Sequence, residues 1–180
     1  FGATTLRRRH ASAGRDTLRL EFTGKSGKAH SITIGDRRLA SLVRRLKDVP
    51  GQELFRYRDD AGEWRAVGSA DINGWLRELS GSEFTAKYFR TWHASVLAFD
   101  ALAASKGSAR VGEVMKLVAA RLGNTPAIAR KSYVHPALVA VLAGEEAWPQ
   151  DGASPRRGPR GLTASERGLL ALLERSAALH

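Results

Sequence analysis

Apolar and polar positions alternate along much of the first 34 residues, and this period of two predicts short β-strands. We expect strands over about residues 3–11, 17–22 and 29–34, the last two of which read "TLRLEF" and "AHSITI". Glycines lie in both connections, and glycine adopts the positive φ of tight turns without steric cost. The pattern therefore predicts a three-stranded antiparallel sheet.

Apolar residues recur with helical spacing after residue 35. Asp36 is expected to cap a helix over about 37–48, which Pro50 and Gly51 end. Further helices are predicted over about 69–80, 85–105 and 109–121, and from Thr125 and Pro126 onward. The helix over 85–105 is expected to direct one apolar face toward the core, formed by Phe89, Trp92, Val96, Phe99 and Ala103.

A change of composition near the C-terminus predicts a linker. Residues 149–161, "PQDGASPRRGPRG", have the Pro, Gly and Arg content of an exposed connection, and a last apolar helix is expected over about 163–178. The predicted fold class is α+β, mainly α. We expect one domain over 1–148, with its sheet in 1–34 and its helices in 35–148, followed by the linker and a C-terminal helix within 162–180.

Charge narrows the choice of partner. The chain has 29 Lys and Arg against 18 Asp and Glu, a net charge of +11, which favours polyanions and nucleic acid first among them. A membrane surface is the competing partner, but no apolar run approaches the roughly 18 residues of a spanning helix and no signal-peptide pattern opens the chain. The absence of cysteine excludes disulfides, thiolate metal sites and cysteine nucleophiles.

The hairpin tip "TGKSGK" at 23–28 places Lys25 where it could contact a phosphate. The spacing does not fit a phosphate-binding loop of ATPases, and a strand follows where that motif needs a helix. A solvated turn lysine is the alternative. No acidic cluster has metal-ligand spacing either, which disfavours nuclease chemistry based on carboxylates and a metal ion.

Two further segments combine cations with aromatic residues. In "FTAKYFRTWHAS" (84–95), helical spacing puts Lys87, Arg90 and His93 on one side, which suits phosphate binding, although an ordinary amphipathic helix has the same pattern. In "LGNTPAIARKSYVHP" (122–136), Tyr133 is a possible nucleophile, because nearby Asn124, Arg130 and Lys131 could stabilise developing charge. A tyrosine packed near a helix end is the commoner explanation.

A third basic segment, "LRRRH" (6–10), is predicted to be a basic strand along a DNA backbone, or else a solvated edge strand.

Taken in order, the Lys25 hairpin, "FRTWHAS" with Arg90 and "LGNTPAIARKSY" with Tyr133 resemble the catalytic domain of type IB DNA topoisomerases, in particular the compact bacterial and poxvirus branch. The resemblance spans about residues 1–143 and implies the fold shared by these enzymes and the tyrosine recombinases. It implies that a tyrosine attacks the DNA phosphodiester, forms a 3′-phosphotyrosyl bond and releases a 5′ hydroxyl, which later reverses the reaction. No cofactor is implied, neither ATP nor a divalent metal.

The resemblance assigns roles to four residues. It implies Tyr133 as the nucleophile, Arg90 as a clamp on the nonbridging phosphate oxygens, and Lys25 as the general acid for the 5′ oxygen. Asn124 stands where many relatives have histidine; its amide can donate a hydrogen bond to the phosphate but cannot carry a proton. The expected DNA-binding residues are Arg7, Arg8, Arg9, Lys28, Lys87, His93, Arg130 and Lys131. The implied partner is duplex DNA in a bacterial nucleoid, with no membrane, and the protein is expected to be a monomer.

One departure from the family pattern concerns the start of the chain. The family has another catalytic arginine upstream of the strand that "FGATTLRRRH" resembles, and an N-terminal DNA-gripping domain, so we expect a chain starting at Phe1 to be a fragment with severely weakened cleavage. Two alternatives remain. Tyrosine recombinases usually carry histidine at the position of Lys87 and "LGH" before the tyrosine, where this chain has Asn124. A DNA-binding module without catalysis would share the same charge.

Overall fold

The structure is a computed structural model that describes residues 2–24, 27–149 and 160–178. The chain forms two compact units, Phe1–Phe84 and Thr85–His180. The predicted fold class, α+β and mainly α with a small N-terminal sheet, is confirmed. Within the described ranges, no helix is long and apolar enough to cross a lipid bilayer.

The first unit is built on a three-stranded antiparallel sheet in the order β1 (Ala11–Ala13), β2 (Thr17–Thr23) and β3 (Ala29–Gly35). Helix α1 (Arg37–Lys47) follows the sheet, and the Asp36 carboxylate caps it by accepting a 2.9 Å hydrogen bond from the Leu39 amide, as predicted. Apolar residues of the sheet and the helix form a small core together with two residues from outside these elements: Ala11, Leu18 and Val43, with Leu6 and Leu54.

The strand predicted over residues 3–11, which included "LRRRH", is wrong. Ala3–Thr5 and Arg8–His10 are short 3₁₀ helices, and pairing with β2 begins only at Ala11. Local hydrogen bonds explain the difference, because the Arg7 amide donates to His10 Nδ1 at 3.0 Å and the His10 amide donates to the Arg7 carbonyl at 2.9 Å. The three arginines thus lie on a turn.

A second, two-stranded sheet was not predicted. It consists of β4 (Arg56–Arg58) and β5 (Trp64–Ala66), and Asp59 organises its connection by accepting from the Glu63 amide at 2.9 Å and from Arg65 Nε at 2.8 Å. These contacts, that with Arg65 foremost, lower the pKa of the Asp59 carboxyl. Helix α2 (Ser69–Ser80) follows close to its predicted bounds.

The second unit contains five helices within the described residues. They are α3 (Ala86–Ala104), α4 (Val111–Leu122), α5 (Pro126–Ser132), α6 (Pro136–Ala143) and α7 (Ala164–Ala177). Gly123, at φ 70°, ends α4 in the left-handed conformation that glycine adopts without strain. Thr125 and Pro126 then begin α5, as predicted, but the break at Tyr133 and the new start at Pro136 were not predicted.

The predicted core face of α3 is wrong at both ends. Phe89 is 58% exposed and Ala103 is exposed, whereas the buried positions are Ala94, Ser95, Ala98, Phe99 and Leu102. The prediction placed the large aromatic residues on the core face. In the structure, small side chains form most of that face and let neighbouring helices approach closely.

The last predicted helix is present as α7. Its Leu169 and Leu172 belong to the same core cluster as the buried residues of α3 and α4. Most of the predicted linker, residues 150–159, lies outside the described residues, and the proposed domain boundaries therefore stay a prediction.

Candidate functional site

Tyr133 stands at the residue where α5 ends. Its backbone amide still donates to the Ala129 carbonyl at 3.1 Å, but its backbone is no longer helical, with φ −131° and ψ −39°. The side chain is half-buried. A tyrosine at a helix end with a partly exposed ring can present its hydroxyl to a ligand while its ring packs on the protein.

Arg90 lies directly against this ring. Its guanidinium carbon is 5.1 Å from the centre of the Tyr133 ring, a cation–π arrangement, and its Nη2 donates to the Leu122 carbonyl at the end of α4. Arg90 is itself exposed. The first turns of α3 and the ends of α4 and α5 therefore converge at one place and bring together two residues that are 43 positions apart in sequence.

Asn124 carries a hydrogen-bond donor one residue after Gly123, which caps the C-terminal end of α4. Asn124 lies two residues after Leu122, and its backbone N–H donates a 2.9 Å hydrogen bond to the Ala119 carbonyl. Its side-chain Nδ2 is buried and has no hydrogen-bond acceptor in the protein. A buried amide donor without an acceptor is costly, and such groups commonly belong to sites that take their acceptor from a ligand.

An open groove of about 1010 Å³ lies beside Tyr133. Arg130, Lys131 and His135 line one part of it, and Leu173 and Ser176 of α7 line another. Two acidic residues, Glu145 and Glu146, also border the groove, so its lining carries charges of both signs. The predicted cations Lys87 and His93 are exposed on α3.

The first unit carries a separate basic cluster. Arg7, Arg8 and Arg9 line a cavity of about 460 Å³ together with Lys47. Arg7 and Arg9 are exposed, whereas Arg8 is half-buried and donates to the Gly51 carbonyl at 3.2 Å. Lys28 is exposed next to the hairpin tip. Lys25, the predicted general acid, lies outside the described residues.

Sequence reasoning missed several residues that border these sites. Lys47 joins the arginine cluster from α1, and α7 forms one wall of the groove beside Tyr133. No local motif marks either contribution, because both depend on how distant segments pack. In the part of the chain that the structure describes, no group of three or more acidic or histidine side chains could hold a metal ion.

The family follows from comparison with known proteins. A family model described as the catalytic core of eukaryotic DNA topoisomerase I matches residues 1–142. The chain belongs to the type IB DNA topoisomerase family. Among its relatives is the DNA topoisomerase 1B of Acanthamoeba polyphaga mimivirus, which is 30% identical over 148 residues. The match covers 74% of this chain and 44% of that relative.

Three of the candidate site residues fall within the region that the family model matches. Arg90, Asn124 and Tyr133 lie between residues 1 and 142, whereas α7 begins after the matched region. The match favours a topoisomerase over the tyrosine recombinase alternative. The chain spans less than half the length of its mimivirus relative.

Proposed function

We propose that this chain is the catalytic part of a type IB DNA topoisomerase, which relaxes supercoiled duplex DNA by cutting and rejoining one strand. The observation that carries the proposal is the position of Arg90, whose guanidinium is 5.1 Å from the centre of the Tyr133 ring. Family membership supports the same reaction class. Activity, substrate and partner are proposals, because the chain covers 44% of its relative.

In the proposed cleavage step, the Tyr133 oxygen forms a bond to phosphorus and the bond from phosphorus to the 5′ oxygen breaks. The phenolic proton passes to water, and the departing 5′ oxygen takes a proton from Lys25, whose role rests on the resemblance alone. Arg90 donates to the nonbridging oxygens, where negative charge grows in the transition state, and Asn124 Nδ2 donates a further hydrogen bond.

The proposed reaction reverses without an external energy source. The phosphotyrosyl ester conserves the energy of the broken phosphodiester, so the 5′ hydroxyl can attack it and restore the strand. Rotation of the broken strand around the intact one between the two steps relaxes the DNA. Neither ATP hydrolysis nor a metal ion is needed to balance these steps.

Duplex DNA is the proposed partner, bound mainly through its phosphates. The second unit offers the exposed side chains of Lys87, His93, Arg130 and Lys131, of which Arg130 and Lys131 line the groove beside Tyr133. The first unit offers Arg7, Arg8, Arg9 and Lys28. Contacts of this kind release counterions and give affinity without base specificity. A monomer is sufficient for the proposed chemistry.

The test is covalent capture on a DNA substrate in which the strand downstream of the cut diffuses away. We expect the chain to form an adduct that survives denaturing electrophoresis, and Tyr133→Phe to form none, because phenylalanine has no nucleophilic oxygen. Tyr57→Phe is the matched control, since Tyr57 is an exposed tyrosine of the first unit, and it should form the adduct normally.

Adduct that persists in Tyr133→Phe would remove Tyr133 from this role. The alternative function, a DNA-binding module without catalysis, predicts retention of DNA with no adduct. A longer chain, extended to the length of the mimivirus relative, is the control for weak cleavage. If that chain binds DNA and also forms no adduct, the enzymatic proposal is wrong.

A further inference from the structure

Ser95 is the only buried polar or charged residue among residues 2–24, 27–149 and 160–178, with 2% of its surface exposed. It lies on α3, five residues after Arg90, which is about 7.5 Å along the helix axis. Alanine would be the simpler choice at such a site, because the neighbouring core positions 94 and 98 are both alanine. The hydroxyl therefore needs a separate explanation.

The contacts of the hydroxyl supply that explanation. Ser95 Oγ donates to the Thr91 carbonyl on the same helix at 2.9 Å and lies 3.4 Å from the Tyr133 carbonyl. It also accepts a 3.0 Å hydrogen bond from the His135 amide. One side chain of the helix that carries Arg90 thus holds the backbone on both sides of residue 134.

The segment that Ser95 contacts needs such a partner. The Val134 amide still donates to the Ala129 carbonyl of α5, but the His135 amide, at the cap of α6, donates to Ser95 Oγ and not to a helical carbonyl. Ala94 and Ala98 of α3 are buried in the same apolar cluster as Val134, the middle residue of this segment. Ser95 adds hydrogen bonds between α3 and the backbone of this segment.

We propose that Ser95 is a positioning residue for Tyr133. By tying the Tyr133–His135 turn to α3, it fixes the phenol relative to the Arg90 guanidinium that clamps the phosphate. The catalytic part of this inference rests on the proposed function; the anchoring of the turn does not. Reacting groups must be held in near-attack geometry, and a displacement of about 1 Å can slow a reaction about 100-fold.

Ser95→Ala is expected to slow formation of the covalent adduct about 10- to 100-fold in a single-turnover experiment. The fraction of protein that finally forms the adduct and the affinity for DNA should be unchanged, because the tyrosine and the basic surface remain. A purely structural role would give the opposite result: fewer active molecules and the original rate constant. Ser95→Thr keeps the hydroxyl and should restore most of the rate.

Ser105→Ala is the matched control. Ser105 Oγ also donates to a carbonyl four residues earlier, that of Ala101 on α3, at 2.9 Å. Its other hydrogen-bond acceptor is the Leu102 carbonyl, also on α3. The two substitutions therefore remove the same type of helix contact, but only one removes the contact to the tyrosine turn. Ser105→Ala should leave the rate constant unchanged.

Hydrogen exchange of the His135 amide gives a readout that does not depend on catalysis. Its protection should fall in Ser95→Ala and stay unchanged in Ser105→Ala. Unchanged protection in Ser95→Ala would overturn the anchoring, and lost protection with an unchanged rate constant would overturn the catalytic role. If the unsubstituted protein forms no adduct in any form, the proposed function and the catalytic role both fail, whereas the exchange result still decides the anchoring.

Discussion

At the scale of single residues, Arg90 is held in place before any ligand arrives. One of its nitrogens donates to the Leu122 carbonyl, which lies at the C-terminal end of α4 where the helix dipole is negative. The guanidinium has five N–H donors, so others remain to contact a phosphate. Because the side chain is already ordered against the Tyr133 ring, binding costs less rotamer entropy than it would for a mobile arginine.

Asn124 supports a prediction at the same scale. Asn124→Ala should slow covalent adduct formation about 100-fold, because it removes the donor that, in the proposed mechanism, contacts the developing charge. It should not lower the thermal midpoint, since Nδ2 has no acceptor in the protein that the change would remove. Single-turnover cleavage and thermal unfolding of the same samples measure the two effects.

Asn124→Asp is the matched variant for that prediction. Aspartate keeps the shape of asparagine but replaces the donor with a negatively charged acceptor, which repels a phosphate. It should therefore cleave more slowly than Asn124→Ala. Equal rates in the two variants and the unsubstituted protein would show that Asn124 does not contact the reacting phosphate.

At the scale of elements, local sequence signals predicted most of the helices and two strands of the sheet. Asp36, Gly123 and Pro126 act through local backbone geometry, so the ends they mark were predicted to within a few residues. These features require no knowledge of the tertiary structure.

Features that depend on tertiary contacts were not predicted. The buried face of α3 follows from close packing around Ala94 and Ala98, which large aromatic neighbours obscured. Likewise, the turn over Arg8–His10 depends on hydrogen bonds that compete with strand pairing. The stacking of Arg90 on Tyr133 and the bond from His135 to Ser95 join distant segments, and no spacing in the sequence encodes them.

Helix α7 gives a prediction about pH. Glu166 accepts from the Thr163 amide at 2.8 Å and from the Trp92 indole at 3.1 Å, and these hydrogen bonds, the first foremost, lower the pKa of its carboxyl below the ordinary 4.5. A carboxyl whose pKa is lower in the folded than in the unfolded protein stabilises the folded state at pH values above its unfolded-state pKa. This stabilisation is lost as the pH falls through the pKa of the folded state. Acid should therefore weaken the attachment of α7 to α3.

Glu166→Gln tests that expectation. Glutamine has one acceptor oxygen and can keep only one of these two bonds, but it does not titrate. The thermal midpoint of this variant should therefore fall less on acidification below about pH 4.5 than that of the unsubstituted protein. Glu174→Gln, on an exposed position of the same helix, is the control and should behave like the unsubstituted protein. Parallel pH curves for all three proteins would contradict the role of Glu166.

At the scale of the whole molecule, the charge of +11 governs the proposed encounter with DNA. The logarithm of affinity should fall linearly with the logarithm of salt concentration, with a slope of about −0.9 for each phosphate contacted. Arg9→Gln should make that slope shallower by about one and weaken binding equally for all sequences. Binding titrations at several salt concentrations measure both effects.

Arg19→Gln is the matched control for the salt prediction. Arg19 is an exposed arginine of the first unit, but its guanidinium is paired with Glu21 at 2.8 Å, so removing it should change the slope less. Equal slopes for Arg9→Gln and the unsubstituted protein would show that the arginine turn does not contact phosphates.

The position of α7 has a practical consequence for anyone who expresses this protein. The match to the family model ends at residue 142, so a designer of a shorter protein could choose to truncate the chain there. A product cut there would lack Leu169, which is 0% exposed, and would leave the apolar surfaces that it covers open to water. Large uncovered apolar patches promote aggregation, so we expect the shortened product to collect in inclusion bodies.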